Sequence, residues 1–297
     1  MIGREQHDTP RSLPVLDRPI LVTGTPRSGK SCVAHVLRHA TEVHLLSEPL
    51  PIWNIGTGTR PDDRRTAEEA TDAVRHDILR ACERALSRAG KSRYLDDLAY
   101  HALRLAFVHR IVPDAKIIHV VRDPEQVIPE IAFWWNRKGP DLRASLDRSR
   151  EHFQLRTLPA LALRFLRNRW HMQRHGRLAM WGPRVPGLGE FVALHPPAEI
   201  AAYQWQGLTE IARDGLSTLP ENAWLEVRFE RLLNDPGREI ERIAAFCDLR
   251  DAGALADRAR SQIQTDWPNP YVAELSDAEW ASVRERISPL RRQLGYA

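Results

Sequence analysis

The sequence predicts a three-layer α/β fold, a central parallel sheet covered on both faces by helices, with a helical, arginine- and tryptophan-rich insertion on one side. Three observations predict it. Short apolar runs alternate with amphipathic helical stretches, the pattern of strands joined by crossover helices. The first run passes through a glycine-bracketed loop straight into a helix, which suits the P-loop NTPase-like variety of this fold. Finally, 297 residues with 42% hydrophobic and 28% charged side chains match one large globular domain. That domain is expected over residues 19–297, behind a flexible segment 1–18, with the insertion at about 137–200.

The elements follow in order. "PILVTG" reads as the first strand, and Cys32, Val33, Val36 and Leu37 recur at helical spacing after the loop. A second helix is expected from Thr66, where Thr66 and Glu69 have capping-box spacing, through Val74, Ile78, Cys82 and Leu86 to a stop at Gly90. "RYLDDLAYHALRLAFVHRIVPDAKIIHVVRDP" reads as short strand, helix and strong strand, the last over Lys116–Val121 and broken by Asp123-Pro124. A helix is predicted over Glu199–Gly215, then a strand "WLEVRF", then a helix opened by Asp235 and Pro236. The closing helix is capped by Ser276 and Glu279 and should be interrupted at Pro289.

Bulk properties narrow the function classes. A net charge of +4 is too mild to imply nucleic acid, though it suits an anionic ligand. The three cysteines, Cys32, Cys82 and Cys247, are odd in number and widely spaced, so neither a disulfide framework nor a zinc site is indicated and a reducing cytoplasm is expected. The polar first residues lack the apolar core of a secretory signal, and no stretch has the ~20 apolar residues of a membrane span. His35 with His39, and His171 with His175, have i,i+4 spacing but no intervening Glu, so no metal site is expected.

The chemistry centres on "TGTPRSGKS", residues 23–31: Gly24, four residues, then Gly29, Lys30 and Ser31. Amides of such a loop, backed by a helix N-terminus, cradle phosphate oxygens, while Arg27 and Lys30 add full charges. A kinase or ATPase would also need an acid at a neighbouring strand's end to share magnesium with Ser31, and Asp123 is the candidate. Arg122, beside it, fits a different use: a guanidinium gripping a second phosphate.

With two anion grips in place, the chain resembles the sulfotransferase family from Pro19 to its end. "TPRSGKS" is similar to the family's 5'-phosphosulfate loop, written PRSGTT or PKSGTT; "PDAKIIHVVRDPEQVIPE" resembles its 3'-phosphate segment; "EVRFERLLNDPGREIERIAAFCDL" and the terminal "LGY" resemble its later segments. The resemblance implies a donor, 3'-phosphoadenosine 5'-phosphosulfate (PAPS), with the bisphosphate PAP as product and no metal. It implies donor contacts by Pro26, Arg27, Ser28, Gly29, Lys30, Ser31, Cys32, Arg122, Glu130 and Phe229. Glu130 stands where the family has serine, so its charge opposes a 3'-phosphate unless it turns away. Lys30 replaces a threonine, and Asp96-Asp97 replaces a lysine-containing stretch.

Transfer to a hydroxyl or amine also needs a base. Glu48, in "LLSEPLPIW", is the expected base, with Arg27 and Lys30 stabilising the leaving phosphate; His44 and Asp97 are alternatives. Residues 137–177 hold eleven Lys or Arg against three Asp or Glu, with Trp134, Trp135 and Trp170 in or beside them. This reads either as a solvated basic face or as a platform for a small-molecule or glycan acceptor. No nucleic-acid partner is expected, and a homodimer stays open. The competing readings are a magnesium-dependent P-loop small-molecule kinase using Lys30, Ser31 and Asp123, and a nucleotide- or polyanion-binding protein without catalysis.

Overall fold

Every residue of Ile20–Gly24 is buried, as a strand must be when it has partners on both edges and helices on both faces. In the computed structural model, which describes residues 15–136, 166, 170, 178–263 and 271–296, this is β1, the centre of the sheet. The next elements are α1 (Lys30–Leu37), β2 (Val43–Leu46), α2 (Leu50–Trp53), α3 (Asp72–Ala89), β3 (Arg93–Asp96), α4 (Leu105–Ile111), β4 (Lys116–Val121) and α5 (Pro124–Asn136). After them come α6 (Leu188–Leu194), α7 (Pro197–Ser217), β5 (Trp224–Arg228), α8 (Phe229–Asn234), α9 (Pro236–Phe246), α10 (Ala252–Gln262) and α11 (Asp277–Gln293). Among the described residues the five strands form one sheet in the order β2-β3-β1-β4-β5, each pair parallel.

Successive strand residues point to opposite faces, and each face finds its own core. Leu21 and Ile117 pack with Ile78, Cys82, Phe107 and Val108 of α3 and α4. Ile20, Val22, Ile118 and Val120 pack with Val33 and Leu37 of α1 and Ile240 and Ile243 of α9. A third cluster joins α5, α7 and α11 around the fully buried Trp135 and Trp205. Each such side chain contributes roughly 2 to 3 kcal/mol of burial, so the helices that hold the sheet's carboxyl edge are firmly seated.

Several boundaries differ from the sequence expectation. The Thr66–Glu69 capping box is present, but it closes only the 3-10 turn Ala67–Glu69, and α3 starts afresh with Thr71 as its cap. The cause lies outside the box: Glu69 is turned back by the guanidiniums of Arg60 and Arg65. Pro289 does not interrupt α11; Glu285, whose carbonyl loses the bond, and Pro289 both lie on the exposed face, while Ile287 and Leu290 stay buried. Gly90 ends α3 at φ 63°, as expected.

Within the segment expected to be frayed, Leu16 is buried and Arg18 bonds Asp114 and Asp248. The basic stretch 137–177 lies outside the described residues, apart from Leu166 and Trp170, as does the His171 and His175 pair. No helix among the described residues is long and apolar enough to cross a membrane.

Candidate active site

The loop between β1 and α1 is shaped by two glycines that no other residue could replace. Gly24 has φ 146°, and a Cβ there would sit 2.3 Å from the Val120 carbonyl oxygen. Gly29 has φ 94°, and its Cβ would lie 2.1 Å from the Phe229 ring. Phe229, buried at the start of α8, therefore acts as a stop against which the loop closes. Between the glycines, Arg27 takes φ 69°, a left-handed conformation costing a non-glycine residue roughly 1 kcal/mol or more. Glu48 does the same at φ 48°. Two of the three residues expected to do chemistry, Arg27 and Glu48, are thus held in unfavourable backbone geometry by their surroundings, as functional sites often are.

Lys30 opens α1 and is itself buried, with its ammonium 3.7 Å from the Glu48 carboxylate, which is half exposed. β2 ends at Leu46, two residues before Glu48, and the parallel pairing of β2 with β3 brings Asp97 under it. Asp97 is fully buried and accepts three hydrogen bonds: from Ser31 Oγ at 2.7 Å, Ser47 Oγ at 3.1 Å and the Glu48 amide at 3.0 Å. Burial alone would raise its pKa, but the Lys30 ammonium and these donors outweigh it and hold the carboxyl below the ordinary aspartate range.

The second cationic group lies at the carboxyl end of β4. Arg122 donates from Nη1 to the Arg27 carbonyl at 3.0 Å and to Glu130 Oε1 at 2.8 Å, and its guanidinium stacks over the Phe229 ring. Arg27 Nε donates to Glu130 Oε2 at 2.6 Å. Glu130, on α5 and only 3% exposed, therefore bridges the two arginines instead of turning away from them. Charge-assisted bonds of this length are strong, and a buried carboxylate would be untenable without them. The Cys32 thiol, one step along α1, is pushed up by burial despite both arginines nearby.

Asp123 is not available to a cation beside Ser31. Arg291 of α11 takes both its oxygens, each at 3.0 Å, and Asp123 Oδ1 also caps the Glu125 amide. The acid beside the loop serine is Asp97 instead. The sequence offered a signal for this in the second aspartate of "DD" at the end of a short apolar run.

On the other side of the loop, the carbonyls of Trp181 and Pro183 accept from Gln204 Nε2, and that of Gly182 accepts from the Tyr100 hydroxyl. A Cβ at Gly182 would lie 3.7 Å from the Pro26 ring, so this segment runs beside the phosphate loop. It carries Trp181, which stacks on Trp134 at 6.2 Å between centroids, with Tyr271 5.6 Å from Trp134. Trp134 is thus part of an aromatic wall, but Trp135 is core: fully buried, it donates to Gln204. Neither Trp181 nor Tyr271 stood out in the sequence, because the wall is assembled from three distant segments.

A parallel sheet with a glycine loop at the carboxyl end of its central strand, and cations gathered around that loop, defines a P-loop-type protein that binds phosphate-bearing ligands. The sequence model described as "Sulfotransferase family" matches residues 19–181, more than half the chain, and the protein belongs to that family and is a sulfotransferase. The fold agrees. Sulfotransferase STF9 from Mycobacterium avium superposes with a TM-score of 0.54 at 11% identity, covering 95% of this chain and 78% of that one. Sulfotransferase STF1 from Mycobacterium tuberculosis H37Rv gives 0.50 at 12% identity, covering 93% and 78%. No curated protein sequence matches this chain.

Proposed function

We propose that this sulfotransferase moves a sulfuryl group from PAPS to a hydroxyl or amine of a small-molecule or glycan acceptor, by in-line displacement. The observation that carries this reading is the joining of two anion grips in one hydrogen-bonded unit. Arg122 is fastened to the loop through the Arg27 carbonyl, so the loop cradle and the β4 guanidinium stand at a set separation. A nucleotide with anionic groups at both ends suits that arrangement.

The proposed division of labour follows from position. Loop amides between Arg27 and Ser31, with the Arg27 and Lys30 side chains, stabilise charge developing on the leaving phosphate oxygen. Glu48 takes the acceptor proton; its exposed carboxylate faces solvent beside the Lys30 ammonium, where an acceptor approaching the cradle would pass. Phe229 serves as a packing stop for Gly29. Trp134, Trp181 and Tyr271 suit an acceptor that presents a ring, aromatic or sugar, to a flat apolar wall. Three free cysteines accord with a reducing cytoplasm as the site of action.

Labelled PAPS incubated with an acceptor panel in the presence of a chelator tests the reading directly. Transfer of label, together with a raised melting temperature on adding PAP, is expected. Absence of both overturns the proposal.

A further inference from the structure

We propose that Lys30, Ser31 and Asp97 form a Mg2+–nucleoside triphosphate site, so that the phosphate loop accepts a second ligand in competition with the sulfuryl donor. Sulfuryl transfer as proposed above uses loop amides, cations and the loop serine; it gives no task to a buried carboxylate beneath the loop that holds the Ser31 proton. Mg2+–triphosphate binding gives that carboxylate a task. In a loop with the spacing of Gly24, Gly29, Lys30 and Ser31, the lysine reaches the outer phosphates and the hydroxyl ligates the metal. The metal's other protein partner is an acid at the carboxyl end of a neighbouring strand.

Asp97 occupies that place. β3 lies beside β1 in parallel register, Leu21 opposite Asp96, and Asp97 is the next residue beyond the strand. Its Oδ2 stands 2.7 Å from Ser31 Oγ. Two adjacent ligands of an octahedral Mg2+ with bonds of 2.0 to 2.1 Å are about 2.9 Å apart. The pair therefore already has close to the separation that two direct ligands of the ion require, once the Ser31 proton turns outward.

The charge pattern points the same way. In a metal-free anion site, a buried carboxylate hydrogen-bonded to the loop serine opposes the ligand, and here Glu48 adds a second carboxylate 3.7 Å from Lys30. Arg27 and Arg122 do not compensate fully, because both are bonded to buried Glu130. A divalent cation between Asp97 and the phosphates restores the balance. Because the ligand fills the same cradle, its binding excludes the sulfuryl donor, and the proposal stands independently of what the donor is.

The alternative role for Asp97 is purely architectural, joining α1 to the β2 loop through Ser31, Ser47 and the Glu48 amide. Calorimetry on the full chain separates the two. ATP and GTP are titrated with Mg2+ and again with chelator, against wild type, Asp97→Asn and Ser31→Ala. PAP is titrated with chelator in parallel. The expected result is at least ten-fold tighter binding of one triphosphate with Mg2+ than without, reduced below three-fold by either substitution. Mn2+ in place of Mg2+ should give a protein-bound resonance only when the triphosphate is present. Ser31→Ala leaves two of the three Asp97 bonds in place, so it decides the matter even if Asp97→Asn fails to fold. Equal affinity with and without metal, no triphosphate binding at millimolar concentration, or a full metal effect in Ser31→Ala overturns the site. PAP binding tests the sulfuryl-donor reading separately, since it can succeed or fail whatever the triphosphates do.

Discussion

Glu48 and Arg27 share a backbone conformation that their side chains do nothing to favour. The predicted signature is a trade between stability and activity. Glu48→Gly removes the clash of a Cβ in the left-handed region and should stabilise the fold by about 1 kcal/mol, read by urea denaturation, while transfer is lost. Glu48→Gln retains shape, so PAP affinity should change less than three-fold while the transfer rate falls on the order of 10²-fold or more. Unchanged transfer in Glu48→Gln would move the base elsewhere. Glu130 gives the opposite pattern. Glu130→Gln leaves two arginines facing each other over an uncharged amide, so the free protein should melt lower and PAP should bind more tightly, on the order of ten-fold. A variant that melts lower and also binds PAP more weakly would show that Glu130 orders the grips without opposing the ligand.

At the scale of elements, legibility in the sequence tracked how local the determining physics was. The β1 loop and α1 were readable because glycine spacing, strand and helix sit side by side in the chain. The end of α3 was readable from Gly90 alone. Its start was not, because the arginines that hold Glu69 lie outside the capping box. Pro289 misled because helix interruption depends on what the opposite face is packed against, and α11 buries Val283, Ile287 and Leu290. The site divides in the same way. Arg27, Lys30 and Arg122 could be picked out one by one, but the Glu130 bridge joins residues 103 apart and the Ser31–Asp97 bond residues 66 apart. The loop's dependence on α8 gives a further prediction: Gly29→Ala drives a Cβ into the Phe229 ring and should abolish PAP binding and destabilise the fold by roughly 2 kcal/mol or more. Near-normal binding in Gly29→Ala would mean that the loop conformation is not the one that holds phosphate.

At the scale of the whole molecule, a buried histidine on β4 makes the fold sensitive to acid. His119, on β4 and fully buried, has its pKa lowered to about 4, first by burial and then by the positive charge of Arg213. The unfolded chain takes up this proton near pH 6.5 and the native state resists until about pH 4. Stability from this group is therefore complete above pH 6.5 and declines as pH falls towards 4, by about 3 kcal/mol in all. Asp97, held below the ordinary carboxyl range, adds a loss of the same sign at lower pH. Denaturation curves at pH 7 and pH 4.5 should show this decline in the wild type, and His119→Leu should lose most of it. An identical pH slope in His119→Leu would place the acid sensitivity in other groups.

The bond between Arg291 and Asp123 spans 168 residues, and beside it the Tyr296 hydroxyl reaches Glu230, which in turn accepts the Asp123 amide. During synthesis the ribosome delivers the loop, β4 and Arg122 long before it delivers this clasp. A nascent chain can therefore assemble the first four strands while Asp123, at the end of β4, still lacks the Arg291 clasp. Chains terminated before Arg291 should accordingly be cut near the end of β4 more readily than longer ones, which limited proteolysis would read.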